Sequence, residues 1–268
     1  MMRKRLAWAV FVLAGVFVAS SPAMTQQNTP AKQAPQGNQP AANPPRRGPA
    51  PPVEGPPHDP HDLTGVWNAR RGYGGDTYPG PGPELTAWGE EQFKKAKASN
   101  GGEYTLEQTN DPVITKCYPP GVPRIYLQPF PMQIVQTPKE VILLFEYDHT
   151  VREVFTDGRK HPDADALTPT YMGNSIGHWD GDTFVVDTVG FNDKTWLDRS
   201  GRPHSDQLHV IERFHRMNER DLELDITMED PKALAKPWQV HFGFQLHPDW
   251  TLQEQVCADN GAFVNFEK

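Results

Sequence analysis

The chain has 268 residues, with 26 Lys plus Arg against 34 Asp plus Glu, 28 prolines and two cysteines. Residues 58–268 hold 20 of the basic and 33 of the acidic side chains, a net charge of −13 with histidine neutral. So acidic a body argues against nucleic acid and anionic lipid surfaces as partners, since both need basic faces.

Residues 1–5 (MMRKR) are a positively charged leader, and residues 6–19 (LAWAVFVLAGVFVA) an apolar run shorter than the ~20 residues of a membrane span. Ser21-Pro22-Ala23 places small residues where a signal peptidase reads. A signal peptide over 1–23 is therefore expected, with a periplasmic or secreted product and no membrane span after cleavage. Residues 24–57, rich in Pro, Ala, Gln and Asn, cannot pack a core and read as a disordered tether. Residues 58–268 suit a single domain, expected to be monomeric. In an exported protein Cys117 and Cys257 are expected to form a disulfide between an early loop and the end of the chain.

Asp62-Leu63-Thr64-Gly65-Val66-Trp67 predicts a first strand. Residues 86–99 predict the one helix: Thr86 caps it, Glu90 and Glu91 sit near its start, and Lys94, Lys95 and Lys97 near its end, as the helix dipole prefers. Residues 111–131 (DPVITKCYPPGVPRIYLQPFP) make a long proline-punctuated excursion, of a length that often serves as a lid or cover. Strands then alternate with turn signals: 132–137, 140–147, 150–156, 174–179, 182–189, 204–217, 221–229, 238–247 and 250–257. Asp180-Gly181 is the strongest hairpin signal among them. Many strands joined by short turns predict a mainly β protein, an antiparallel up-and-down β-barrel with one short helix and a long N-terminal excursion.

A Gly-x-Trp on the first strand is where lipocalin-like barrels carry their signature. With Ile134-Val135-Gln136-Thr137-Pro138, Gly177-His178-Trp179-Asp180-Gly181-Asp182-Thr183 and Pro203-His204-Ser205, the chain resembles a family of secreted bacterial proteins with a lipocalin-like (calycin-like) β-barrel. The resemblance spans the whole domain and implies no particular reaction.

Side chains alternate faces along a strand. In 221–229 and 238–247 the alternation of apolar and polar residues is unbroken. The exceptions elsewhere locate a polar interior. Glu212 shares a face with Leu208, Val210 and Phe214, and Glu254 one with Leu252 and Val256. Glu146 is in phase with Ile142 and Leu144, Arg152 with Val154, and His178 with Ile176. His204, in phase with Glu212, is expected at the barrel mouth, and Tyr171 and Trp196 as an aromatic entrance.

A buried carboxylate must find a partner or a proton, which leaves several uses for such an interior. It suits a structural ion-pair network joining Arg152 to Glu146 or Glu212. It also suits acid/base catalysis, with His204, Glu212 and Glu146 reacting and Arg152, His178, Glu254, Trp196 and Tyr171 binding the ligand. The expected activity is that of a cofactor-independent lyase or isomerase acting on a small apolar or aromatic compound. The alternatives are a non-catalytic carrier of such a ligand and a structural module of the cell envelope. No His-x-His or His-x-x-x-His spacing calls for a metal. His204-Ser205-Asp206 cannot form a hydrolase triad within one extended run, because neighbouring side chains point apart.

Overall fold

A computed structural model describes residues 58–70, 77–78, 80–99 and 108–257. The expected signal peptide and the tether lie outside the described residues. The described residues belong to one compact unit within residues 49–268.

Nine strands follow in chain order: β1 (Gly65–Ala69), β2 (Met132–Gln136), β3 (Glu140–Phe145), β4 (Val151–Phe155), β5 (Asn174–Asp180), β6 (Thr183–Val189), β7 (His209–Arg216), β8 (Asp221–Glu229) and β9 (Trp238–Leu246). Each pairs with its sequence neighbours, and β9 pairs back onto β1 to close the barrel. Closure removes the free strand edges that would otherwise template aggregation. The β5–β6 hairpin turns at Gly181, whose φ of +58° is the left-handed conformation such turns need.

The fully antiparallel expectation is corrected at one joint, because β4 and β5 run parallel. Closure requires it: strand direction cannot alternate all the way round a ring with an odd number of strands, so a ring of nine needs at least one parallel pair. The joint is also the thinnest, matching only Val154 with Ser175 and Phe155 with Ile176. A crossover loop, residues 156–173, makes the connection.

The predicted tenth strand, 250–257, is absent as a strand. β9 already has β8 on one side and β1 on the other, so no ladder is left for that segment to join. The Cys117–Cys257 disulfide forms as expected and holds the segment's end against the 111–131 excursion.

The predicted helix is observed as α1 (Ala87–Lys95), with the Thr86 side chain accepting from the Gly89 amide at its N-terminus. α1 lies against the β8–β9 loop: Thr86 N–H donates to the Ala233 carbonyl at 3.0 Å, and the Thr86 hydroxyl to that of Lys232 at 2.6 Å. A Cβ on Gly89 would stand 2.3 Å from the Ala233 carbonyl oxygen. Gly89→Val is therefore expected to lift α1 off the barrel and to cost about 2 kcal/mol or more, as overpacking against backbone does. Urea titration followed by circular dichroism measures that loss.

The core fills the barrel. Val141, Leu143 and Phe145, then Val210, Phe214, Leu222, Leu224, Ile226, Met228, Phe242 and Phe244 point inward and are buried, as strand alternation requires. Trp67 is fully buried beside them and donates its indole N–H to the Leu63 carbonyl at 2.8 Å. The 111–131 excursion contributes the filling: its 3-10 turn Arg124–Leu127 is buried throughout. The ring of Tyr126 packs among Phe145, Phe214, Phe242 and Phe244, with centroids 5.7–6.4 Å away. The excursion is thus a plug as well as a cover.

Candidate functional site

Two of the residues singled out as misplaced polar groups meet inside the barrel. Glu212 on β7 and Arg152 on β4 form a two-point ion pair, both essentially inaccessible to solvent. Arg152 Nη1 donates to Glu212 Oε1 and to the Tyr126 hydroxyl, both at 2.8 Å. Nη2 donates to Glu212 Oε2 and to Thr188 Oγ1, and Nε to Ser175 Oγ at 3.2 Å. Tyr126 in turn donates its hydroxyl to Glu212 Oε1 at 2.7 Å. A guanidinium has five N–H donors, and all five are used here.

The electrostatics match that geometry. Burial alone would lower the Arg152 pKa, but the Glu212 carboxylate outweighs it and the pKa is raised. Burial, then the Glu212 charge, drive the Tyr126 phenol well above its ordinary value. The cluster joins β4, β5, β6, β7 and the plug, and the Arg152–Ser175 bond crosses the thin parallel joint. Of the expectations for these residues, the structural ion-pair network with Glu212 describes what the geometry does.

His204 lies elsewhere. β7 begins at His209, so residues 204–208 are loop, and the strand phase that set His204 above Glu212 does not reach it. His204 is buried, in the wall of a cleft of about 260 Å³ between α1 and the 190–208 loop. Trp88, Gln92, Asn110, Asp193, Thr195 and Trp196 help to line that cleft.

The local hydrogen bonds settle the tautomer of His204. Nδ1 lies 3.1 Å from the Ser205 carbonyl, which can only accept, so Nδ1 carries the proton. Nε2 then accepts from the Thr195 hydroxyl at 3.0 Å. Burial holds the His204 pKa below its ordinary value, partly opposed by the Ser205 carbonyl, Asp230 and Asp193. The loop is itself anchored: buried Asp230 accepts from the Ser205 hydroxyl at 2.8 Å and from the Ser205 amide at 2.5 Å. Asp206 is exposed, so the serine's carboxylate partner comes from the far side of β8 rather than from the next residue.

Tyr171 lies at a second cleft, of about 500 Å³, over the parallel joint between β4 and β5. Val151, Phe155, Met172 and Pro119 give it apolar walls, and Arg152 and Ser175 reach it from within. The two aromatic residues expected at one entrance, Tyr171 and Trp196, therefore belong to different clefts.

Three placements are corrected. Glu146 follows the end of β3 on the outward phase, half-buried, and accepts from the Gln253 amide at 2.8 Å. His178 is exposed on the outer face of β5, whose inner face carries Ser175, Gly177 and Trp179. Glu254 is exposed on the irregular segment after β9. Two residues that the sequence did not single out are Tyr126, in an aperiodic proline-rich stretch, and Thr195, in a loop. Neither sits in a pattern that reports burial.

Fold and site together define a closed nine-stranded β-barrel of mixed strand direction, with a plugged interior and clefts on its outside wall that include those at His204 and Tyr171. A comparison with protein-family models gives no match, and no curated protein matches the chain. No helix among the described residues is long and apolar enough to cross a membrane.

Proposed function

We propose that the protein is an exported binding barrel, a lipocalin-like member of a secreted bacterial family, that takes a small aromatic compound in the His204 cleft. There His204 acts as a general base in a cofactor-independent lyase or isomerase reaction. The observation that carries this reading is the state of His204: neutral, with a fixed tautomer, at the wall of a cleft lined by Trp88 and Trp196, its unprotonated Nε2 accepting from the Thr195 hydroxyl, so that it takes a ligand proton by way of that hydroxyl. A base kept neutral by burial is ready to take a proton at neutral pH. The two indoles supply flat apolar faces, and Gln92, Asn110 and Asp193 supply the few polar groups that orient a ligand.

Glu212 has no part in this chemistry, because Arg152 and Tyr126 occupy its oxygens. The reading therefore separates a structural interior from a reactive outside cleft.

Titrating small phenols and aromatic acids against tryptophan fluorescence tests it. Trp196→Ala is expected to weaken binding about tenfold or more, as loss of an aromatic anchor does. His204→Gln is expected to keep the ligand and abolish turnover. Since burial lowers the His204 pKa, the rate should persist on acidification past the ordinary histidine range before it falls. Binding indifferent to Trp88 and Trp196 substitutions would discard the site.

The carrier reading is favoured by one observation: the cleft at the β4–β5 joint has the volume of a small-ligand site, about 500 Å³. Saturable binding that Tyr171→Ala removes and Trp196→Ala leaves unchanged would favour it over the His204 cleft.

A further inference from the structure

Closure of the ring leaves one stretch of strand edge open. β4 pairs along its whole length with β3, from Leu144↔Val151 to Glu140↔Phe155. Hydrogen-bonded and non-hydrogen-bonded pairs alternate along an antiparallel ladder. Phe145 N–H donates to the Thr150 carbonyl and Thr156 N–H to the Lys139 carbonyl, each at 2.8 Å. Counting in twos from either bond, Arg152 and Val154 turn their backbone groups toward β3. Val151, Glu153 and Phe155 turn theirs toward β5.

β5 answers only part of that row. Its parallel pairings, Val154↔Ser175 and Phe155↔Ile176, take up the edge from the Glu153 carbonyl onward. Before Asn174 the chain is held away from β4. Thr170 N–H donates to the Gly190 carbonyl at 3.0 Å, and the Thr170 carbonyl accepts from Asn192 N–H at 2.8 Å. The Thr170 hydroxyl donates to the Gly173 carbonyl at 3.3 Å. The Val151 amide and carbonyl and the Glu153 amide are therefore left without a strand to pair with. They border the cleft of about 500 Å³ at the joint, which residues 150–153 line on one side and 170–173 on the other.

The chemistry of this edge suits a peptide. Bare N–H and C=O groups at strand spacing are matched by another extended backbone. On the outer face of β4, Val151 is 53% exposed and Glu153 is exposed as well. A strand laid beside them sets one side chain against Val151 and the next but one against Glu153, at cross-strand distance. The charged residues lining the cleft are Asp148, Glu153 and Arg152, and Glu212 matches the Arg152 charge. The edge is thus acidic. Its complement is an apolar residue with a basic one two places away.

We propose that Val151–Glu153 is a docking edge for an extended peptide segment of a partner protein, apolar against Val151 and basic against Glu153, which joins β4 as a short extra strand. The site lies apart from the His204 cleft and does not depend on its chemistry.

The acetylated, amidated pentapeptide VTKTV tests the proposal, because its pattern is the same in either strand direction. Titrated into the full, disulfide-bonded, isotope-labelled chain, it should shift the Val151 and Glu153 amide resonances saturably, with a Kd of about 1 mM or tighter, and leave those of β8 unmoved. The same peptide N-methylated at its central residues keeps the side chains and loses the donors, and should bind about tenfold more weakly or worse. VTETV should bind at least about threefold more weakly than VTKTV, and Glu153→Lys should reverse that preference. Val151→Pro should weaken VTKTV about tenfold. The fold tolerates that proline, because the Val151 amide pairs with no strand and Thr150 already has the extended backbone that a following proline requires, φ −65° and ψ 129°. Should Val151→Pro fail to fold, the Glu153→Lys preference carries the test. Absent shifts at Val151 and Glu153, equal binding of the N-methylated peptide, or a preference that Glu153→Lys leaves unchanged overturns the docking edge. Self-association of the native chain that Val151→Pro removes would overturn the partner peptide and assign the edge to a second copy.

Discussion

Replacing Arg152 with methionine is expected to destabilise the barrel by about 3–5 kcal/mol, far more than truncating a comparable apolar side chain at the surface. The substitution leaves the Glu212 carboxylate buried with only the Tyr126 hydroxyl to donate to it. It also strips partners from Ser175 and Thr188, which keep just their mutual contact at 3.1 Å. Glu212→Leu should cost a similar amount from the other side by orphaning the guanidinium. The double variant Arg152→Met/Glu212→Leu should recover most of the loss, because removing both charges removes the burial penalty along with the attraction. Urea unfolding of the four proteins, disulfide intact, yields the coupling energy. Additive single losses would mean that the ion pair is not the unit that holds the interior.

The position of that pair makes the prediction large. β4 and β5 share two backbone pairings where neighbouring hairpins share five or more. The barrel is thus weakest at its parallel joint, and side chains do there what ladder bonds do elsewhere. Arg152 reaches across the joint to Ser175 and on to Thr188 and Glu212, which binds four consecutive strands through one guanidinium. Hydrogen exchange should register this locally, with β4 and β5 amides losing protection in Arg152→Met before those of β8 and β9.

The residues that announced themselves in the sequence are those where one face of a strand is unambiguous. Val210, Glu212 and Phe214 alternate with polar neighbours, so Glu212 could be placed inward without knowing its partner. β8 and β9 were readable for the same reason. Glu146 was not, because β3 is apolar on both faces and its phase cannot be told from the letters. His178 misled through Ile176: the inner face of β5 is the one with Ser175 and Gly177, Gly177 making room for Phe184, whose ring a Cβ there would meet at 2.6 Å. The parallel joint follows from the strand count and ring closure, which no local pattern carries. Residues 250–257 alternate as a strand would, yet whether a strand forms depends on a free neighbour, and closure of the ring leaves none. His204 was placed by extending the phase of β7 beyond its first residue, and loop geometry does not respect that period.

Loss of the Cys117–Cys257 bridge should cost about 2–4 kcal/mol of global stability, although its folded-state contacts are local. The two cysteines are 140 residues apart, and the loop they close contains β2 to β9. A cross-link over so long a loop acts mainly on the unfolded chain, whose freedom it restricts. Its contribution is therefore felt by strands it never touches. The folded state adds a smaller, local effect. Residues 250–257 have no ladder, and besides the bridge they are held by the Glu146–Gln253 contact, by Gln255 Oε1 accepting from the Asp148 amide at 2.5 Å, and by Asp148 Oδ1 accepting from the Cys257 amide at 3.2 Å. A Cys117→Ser/Cys257→Ser variant should thus show two changes at once: an unfolding midpoint in urea lowered throughout the barrel, and fast exchange confined to 250–257 under native conditions. The closed ring predicts that β1–β9 pairing survives in that variant, since no strand depends on the bridge for a partner. A variant that exchanged rapidly in β9 and β1 as well would show instead that the disulfide, and not the strand ladder, keeps the barrel shut.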